Sequence, residues 1–307
     1  MRRLSILAAV VIVAGFAVYW WLTMPVVIAA SALLAYTPDL ANGKTAFNIG
    51  GCSSCHAVPN QPDRTRLGGG LALTTPFGTF YAPNISPDPK DGIGNWSEAQ
   101  FVTAVLEGVS PQGAHYFPAF PYASYHRAKL TDIRDMFAYI KTLPPVSGAA
   151  PAHDIAFPFS IRRNVGIWKW LFMERQPFTA VAGQSPQWNR GAYLVNTLGH
   201  CAECHSPRNA LGGIVAAQRF AGGPNPEGKG WVPNITQKHL ADWSEKDISY
   251  FLESGLLPDG DSAGGSMASV IKNTSQLSAE DRTAIAVYLK SLPPVEGPAR
   301  PKGAHQH

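Results

Sequence analysis

Two pentapeptides use all four cysteines of the chain: Cys52-Ser53-Ser54-Cys55-His56 and Cys201-Ala202-Glu203-Cys204-His205. Cys-x-x-Cys followed at once by His is the attachment pattern of c-type haem. The two thiols add across the haem vinyl groups as thioethers, and the histidine is thereby held beneath the iron as its proximal ligand. A bare Cys-x-x-Cys could serve as a redox disulfide or as half of a zinc site. The immediate histidine in both copies, with no further cysteines to complete a zinc site, argues against both. The reading predicts two covalently bound haem c groups, with Cys52, Cys55, His56, Cys201, Cys204 and His205 as cofactor residues, and leaves no cysteine for a structural disulfide.

The sixth coordination position decides what each iron does. A thioether there raises the potential and blocks small molecules, which suits outer-sphere electron transfer. Of the five methionines, Met1 and Met24 belong to the amino-terminal apolar segment and Met173 to a connecting stretch. Met267, 62 residues after His205 in a Gly/Ser loop, is the expected ligand of the second haem. The matching loop of the first copy, Tyr116 to Ala128, contains no methionine, and Met136 falls inside the next helix at the position of Ile285, which reads as core. His126 is the first-ranked sixth ligand there and His115 the second, with Lys129 and an open or water-bound iron as further alternatives.

These residues must be positioned twice, and the chain is a tandem duplication. Cys201 stands 149 positions after Cys52, and the closing segments Tyr139–Val146 and Tyr288–Val295 keep the same offset. Between them Pro83-Asn84-Ile85 matches Pro233-Asn234-Ile235, and Trp96-Ser97-Glu98 matches Trp243-Ser244-Glu245. Thr37-Pro38 and Ser185-Pro186 each offer a capping hydroxyl before a proline at the first helical position. Ser97 with Gln100, and Ser244 with Asp247, form capping boxes that start helices ended by Gly108 and Gly255. A third helix in each copy precedes a Pro-Pro, with Ile133, Met136, Phe137 and Ile140 on one face in the first and Ile285, Tyr288 and Leu289 in the second. The pattern predicts an all-α fold of two three-helix domains, 37–146 and 185–296, joined by a strap over 147–184 and followed by a flexible tail over 297–307.

The strap carries Phe157, Phe159, Trp168, Trp170, Leu171 and Phe172 among Arg162, Arg163 and Lys169. It reads as packing over both halves, or as a docking surface for a redox partner or the membrane. At the amino terminus, Met1-Arg2-Arg3 precedes 19 uncharged residues, Leu4 to Leu22, that close on Tyr19, Trp20 and Trp21. Length, basic start and aromatic end predict a retained signal-anchor over 1–24 that places the rest in the periplasm, with cleavage near Ala30-Ser31-Ala32 as the alternative. The 307 residues, 45% hydrophobic and 15% charged, describe a globular chain, and a net charge of +4 without basic runs excludes nucleic acid as a partner.

The two haem motifs, Thr75-Pro76-Phe77-Gly78, Tyr81 to Asp88, Gly92 to Ser97, Pro118 to Tyr122, the Leu-Pro-Pro-Val endings and Gly199 to Asn209 together resemble the membrane-bound cytochrome c subunits of periplasmic dehydrogenases, such as the alcohol and gluconate dehydrogenases. The resemblance covers nearly the whole export portion and implies two tandem class I cytochrome c domains. It implies an electron carrier between a partner dehydrogenase and a downstream acceptor: a cytochrome, an oxidase or a quinone-linked complex. It also implies that Trp96, Asn84, Trp243, Asn234 and Arg208 close around haem edges and propionates. The family pattern puts the methionine of the first haem where Phe120 or Ala128 stands, so this sequence departs from it there. That departure motivates a rival reading, a haem enzyme of the thiosulfate dehydrogenase or peroxidase type with the first iron catalytic.

Overall fold

A computed structural model describes residues 1–228 and 230–301; residues 302–307 of the expected tail lie outside the described residues. Helix α1 (Arg2–Leu22) projects with no buried residue and is long and apolar enough to cross a membrane by length and composition. In the first repeat follow α2 (Leu40–Ile49), α3 (Cys52–His56), strands β1 (Ala72–Thr75) and β2 (Gly78–Tyr81), α4 (Glu98–Val102) running on as a π-turn to Glu107, α5 (Tyr122–Tyr125) and α6 (Leu130–Ile140). The connection contributes β3 (Asp154–Ile155) and α7 (Val165–Phe172). The second repeat comprises α8 (Pro186–Asn196), α9 (Ala202–His205), β4 (Gly223–Pro224), β5 (Trp231–Val232), α10 (Gln237–Leu240), α11 (Glu245–Ser254), α12 (Gly265–Thr274) and α13 (Ala279–Lys290).

The helix starts follow local chemistry. Both capping boxes form, and the helices they open run to Gly108 and Gly255, each in the left-handed region with φ of 59° and 76°. Ser185 caps α8 ahead of Pro186. Thr37 does not cap α2: Asp39 takes that place, because its carboxylate accepts from the amides of both Ala41 and Asn42. The all-α expectation holds, with small β-elements added to it. Thr75-Pro76-Phe77-Gly78 is a hairpin turn, in which the Thr75 hydroxyl accepts from Phe77 N and donates to Gly78 O, and β1, β2 and β3 form a small antiparallel sheet.

In each repeat the first helix crosses the last at a glycine. A side chain on Gly43 would stand 2.2 Å from the Asp135 carbonyl of α6, and one on Gly191 would stand 1.8 Å from the Ala284 carbonyl of α13. Backbone meets backbone at both crossings, which brings the carboxyl ends of α2 and α8 to fixed places immediately ahead of the cysteine motifs.

The two repeats share one continuous core, running from Phe47, Ile133 and Ile140 to Leu194, Ile285 and Leu289. Polar bonds stitch the same seam. Tyr193 of α8 donates to the buried Asp132 of α6 and accepts from Lys129 N, and Ser124 donates to Glu203 Oε1 at 2.8 Å. Buried polar groups require such partners, so these bonds also fix how the halves meet.

The strap spans both halves. Trp168 packs edge-on to Tyr122 of the first repeat and donates from Nε1 to Leu211 O of the second at 3.0 Å. Beneath it Lys169 is buried and donates to the carbonyls of Glu107 (2.5 Å) and Gly108 (2.9 Å) and to Nδ1 of His115 (3.0 Å). The other nitrogen of His115 donates to Thr23 O at 2.9 Å, which ties the end of α1 to the first repeat.

Candidate functional site

Both cysteine motifs form short helical turns entered through special backbone. Gly51 precedes α3 with φ of 65°, and His200 precedes Cys201 with φ of 37°, a left-handed conformation that costs a non-glycine residue about 1–3 kcal/mol. None of the four cysteines is paired in a disulfide.

The proximal side is duplicated bond for bond. His56 Nδ1 lies 2.8 Å from Pro83 O, and His205 Nδ1 lies 2.8 Å from Pro233 O. A carbonyl can only accept, so each Nδ1 carries the proton and each Nε2 keeps its lone pair for a metal. Burial holds both imidazoles below their ordinary pKa, in the neutral ligating form. The residues therefore fit a covalently attached haem at each motif: two thiols one turn apart, and a histidine whose tautomer is already set.

The carbonyls that set the tautomers are themselves anchored twice. Asn84 donates to Val146 O (2.6 Å) and accepts from Ser86 N (2.9 Å), while Asn234 donates to Val295 O (2.8 Å) and accepts from Thr236 N (2.8 Å). Val146 N and Val295 N close the loop on the hydroxyls of Ser86 and Thr236. The two asparagines thus hold the segments that carry Pro83 and Pro233. Three of the five nitrogen-borne hydrogens of Arg208 are likewise spoken for, by Gly212 O, Glu203 O and Glu203 Oε2, although its Nε is buried without a partner. Trp96 and Trp243 are half-buried against the shared core, Trp243 edge-on to Phe251.

On the distal side the repeats differ. Met267 stands in the first turn of α12, not in a loop, half-buried against the core. The bridges Val109↔His115 and Leu256↔Ser262 are equivalent and lie 147 positions apart. The same offset sets Phe120 where Met267 stands. Phe120 is half-buried among Tyr116, Tyr122 and Tyr125, with ring centroids 6.0, 6.2 and 5.7 Å away.

The histidines expected as first-haem ligands are engaged elsewhere. His126 points Nδ1 at Leu106 O (2.8 Å) and Glu107 Oε1 (3.3 Å), and Nε2 at Arg175 O (3.3 Å), so neither nitrogen is free for iron. Burial would lower its pKa, but the Glu107 carboxylate outweighs that and raises it, favouring the cation. His115 is occupied by Lys169 and Thr23, and Lys129 is exposed with its ammonium 5.3 Å from the Tyr193 ring. Met136 is buried, with its sulfur 3.9 Å from Cys52 Sγ, on the attachment side of the motif.

Sequence reasoning did not foresee how the two motifs face each other. The Tyr125 hydroxyl donates to Gly50 O at 2.5 Å, and its ring packs edge-on to His200 at 5.5 Å. His200 Nε2 lies 3.5 Å from where a side chain on Gly51 would stand. Ser53 donates to Asn273 Oδ1 (2.8 Å), Asn273 donates to Ser54 Oγ (2.7 Å), and Arg64 reaches Ser53, Ser269 and Asn273. The residues just ahead of Cys52 and Cys201 are therefore in contact across the seam.

A cytochrome c family profile matches residues 40–144 and again 189–293. The chain is 49% identical over 298 residues to a diheme cytochrome c-type protein of Cereibacter sphaeroides, covering 96% of this chain and 99% of that one. It is 37% identical to the fructose dehydrogenase cytochrome subunit of Gluconobacter japonicus, over 84% of this chain and 54% of that subunit. It is 36% identical to the gluconate 2-dehydrogenase cytochrome c subunit of Pantoea cypripedii, over 88% of this chain and 64% of that subunit. Two sequence repeats, two preset proximal histidines and these matches lead to one conclusion: the chain belongs to the cytochrome c family, as a diheme member with a haem c attached at each repeat.

Proposed function

We propose that this chain is a membrane-anchored electron carrier that accepts electrons from a partner dehydrogenase on the periplasmic side of the inner membrane and passes them to a respiratory acceptor. The observation that carries the proposal is the seam: two haem-attachment turns, each with its histidine tautomer preset, held against each other by His200, Tyr125 and the Ser53–Asn273 bonds. Bound haem supplies a one-electron couple, and the chain supplies ligation, burial and a fixed separation. Three relatives whose names make them dehydrogenase cytochrome subunits support the choice of donor. Helix α1, with two arginines at its start and aromatics at its far end, supports the anchor and its orientation.

We assign Met267 as the sixth ligand of the second haem and Phe120 as the residue that replaces a sulfur ligand at the first. Met267→Ala is expected to abolish the methionine–iron charge-transfer band at the red end of the spectrum and to lower one of two midpoint potentials in a redox titration. An unchanged band sinks the ligand assignment. The absence of a sulfur at Phe120 favours a second reading, in which the first iron is open and catalytic. Rapid carbon monoxide binding by a high-spin haem, together with turnover of thiosulfate or peroxide, would establish it; two low-spin haems without turnover support the carrier.

A further inference from the structure

Helix α7 has two faces of different character. Val165, Gly166 and Lys169 are buried against the first repeat, while Ile167, Trp170 and Leu171 are 37%, 63% and 48% exposed. The spacing 167, 170, 171 puts these three apolar side chains on one stripe of the helix. The segment leading into it adds Phe157, 79% exposed, with Phe159 and Ile161 also exposed. A soluble surface rarely presents so many large apolar side chains together without something to cover them.

What covers them follows from where α7 begins. Asn164 Oδ1 accepts from the Tyr19 hydroxyl at 3.0 Å, and Arg163 donates to Trp20 O at 3.0 Å with its guanidinium 3.6 Å from the Trp20 ring centroid. Gly166 lies so close to α1 that a side chain on it would stand 2.6 Å from Thr23 Cα. The start of α7 is thus fixed at the level of Tyr19, Trp20 and Trp21, the aromatic end of the anchor, and aromatic residues at the end of a spanning helix mark the headgroup layer.

We propose that α7 and the segment before it lie in the outer interfacial layer of the bilayer that α1 crosses, with Phe157, Ile167, Trp170 and Leu171 buried in lipid. The inference rests on the reading of α1 as a membrane anchor. An amphipathic segment at this depth buries its apolar stripe below the headgroups. Arg163 and Arg162 donate to protein carbonyls, of Trp20 and His115, while the exposed stripe itself is apolar, so burial of that stripe supplies the affinity under test. Lipid contact on α7 as well as α1 fixes the tilt of both haem domains above the membrane.

In the holoprotein the four native cysteines are consumed as thioethers, so one introduced cysteine is the sole reactive thiol. The test uses full-length holoprotein in phosphatidylcholine nanodiscs, carrying Ile12→Cys, Ile167→Cys, Trp170→Cys, Leu171→Cys or, on exposed α11, Lys246→Cys. Alkylation by a charged, membrane-impermeant maleimide is expected to be slower at 12, 167, 170 and 171 than at 246 by about tenfold or more, the factor that ~1.4 kcal/mol of burial produces. Protection at 12 with rapid labelling at 167, 170 and 171 overturns the proposal and leaves the anchor intact. Rapid labelling at 12 as well removes the anchor and the proposal with it. Rapid labelling at 167, 170 and 171 that slows only when the partner dehydrogenase is added assigns the stripe to a protein and overturns the lipid assignment.

Discussion

At the scale of single residues, the proposed asymmetry between the two haems rests on Phe120 standing where the second repeat has Met267. The repeats agree bond for bond on the proximal side, from His56 and Pro83 to His205 and Pro233, and diverge where a ligand would approach the other face. Phe120→Met is expected to add a second methionine–iron charge-transfer band and to raise the lower midpoint potential, as a thioether does. No new band would mean that another group already holds the sixth position of the first haem. The cysteine motifs and the lack of a methionine between Tyr116 and Ala128 were legible in sequence because haem attachment needs particular atoms at particular spacings. The occupations of His115 and His126 were not, since both depend on carbonyls far away in the chain: Thr23, Leu106 and Arg175. The anchoring roles of Asn84 and Asn234 were hidden for the same reason, their partners lying about sixty residues downstream.

At the scale of elements, two joints respond to simple perturbation. Gly191→Ala places a methyl where Ala284 O now stands, so α8 must lift from α13, and the same holds for Gly43→Ala at α6. Each is expected to destabilise the holoprotein by about 1–3 kcal/mol, seen as a lower denaturant midpoint with the haem spectra at room temperature unchanged. The joint between α1, α7 and the first repeat depends on neutral His115, whose pKa is lowered by burial and further by the charges of Lys169 and Arg163, against the bond to Thr23 O. An unfolded chain protonates this histidine near pH 6.5 and the folded chain only at lower pH, so the unfolded state holds more protons in between and stability falls as pH drops through that window. His115→Gln should flatten the decline in Tm between pH 7 and 5; an unaltered decline would place its origin elsewhere. Helix starts and stops could be read from caps and glycines, except where competing signals sat together. Asp39 outbid Thr37 because a carboxylate can serve two amides, and the Gly264-Gly265 pair concealed the start of α12. Trp168 and Trp170, alike in sequence, part ways because two positions along a helix is more than half a turn.

At the scale of the molecule, the sequence describes two units in series, whereas the structure has one core shared between them. Duplication is written in each half separately, but complementarity across a seam is written in neither. The shared core predicts a single cooperative unfolding transition, with the absorbance changes of both haems sharing one midpoint. In Gly191→Ala, a change confined to the second repeat, both haem signals should shift to the lower midpoint together. Two separated transitions would show that the halves fold independently.

The seam also favours an order in time. Cys52 and Cys201 both pack against the common core, and the His200 side chain, just ahead of Cys201, lies against Gly51, just ahead of Cys52. The halves close on each other beside both motifs, so haem attachment is expected to be easier before that closure than after it; a chain purified without haem should take it up more slowly once the seam has formed.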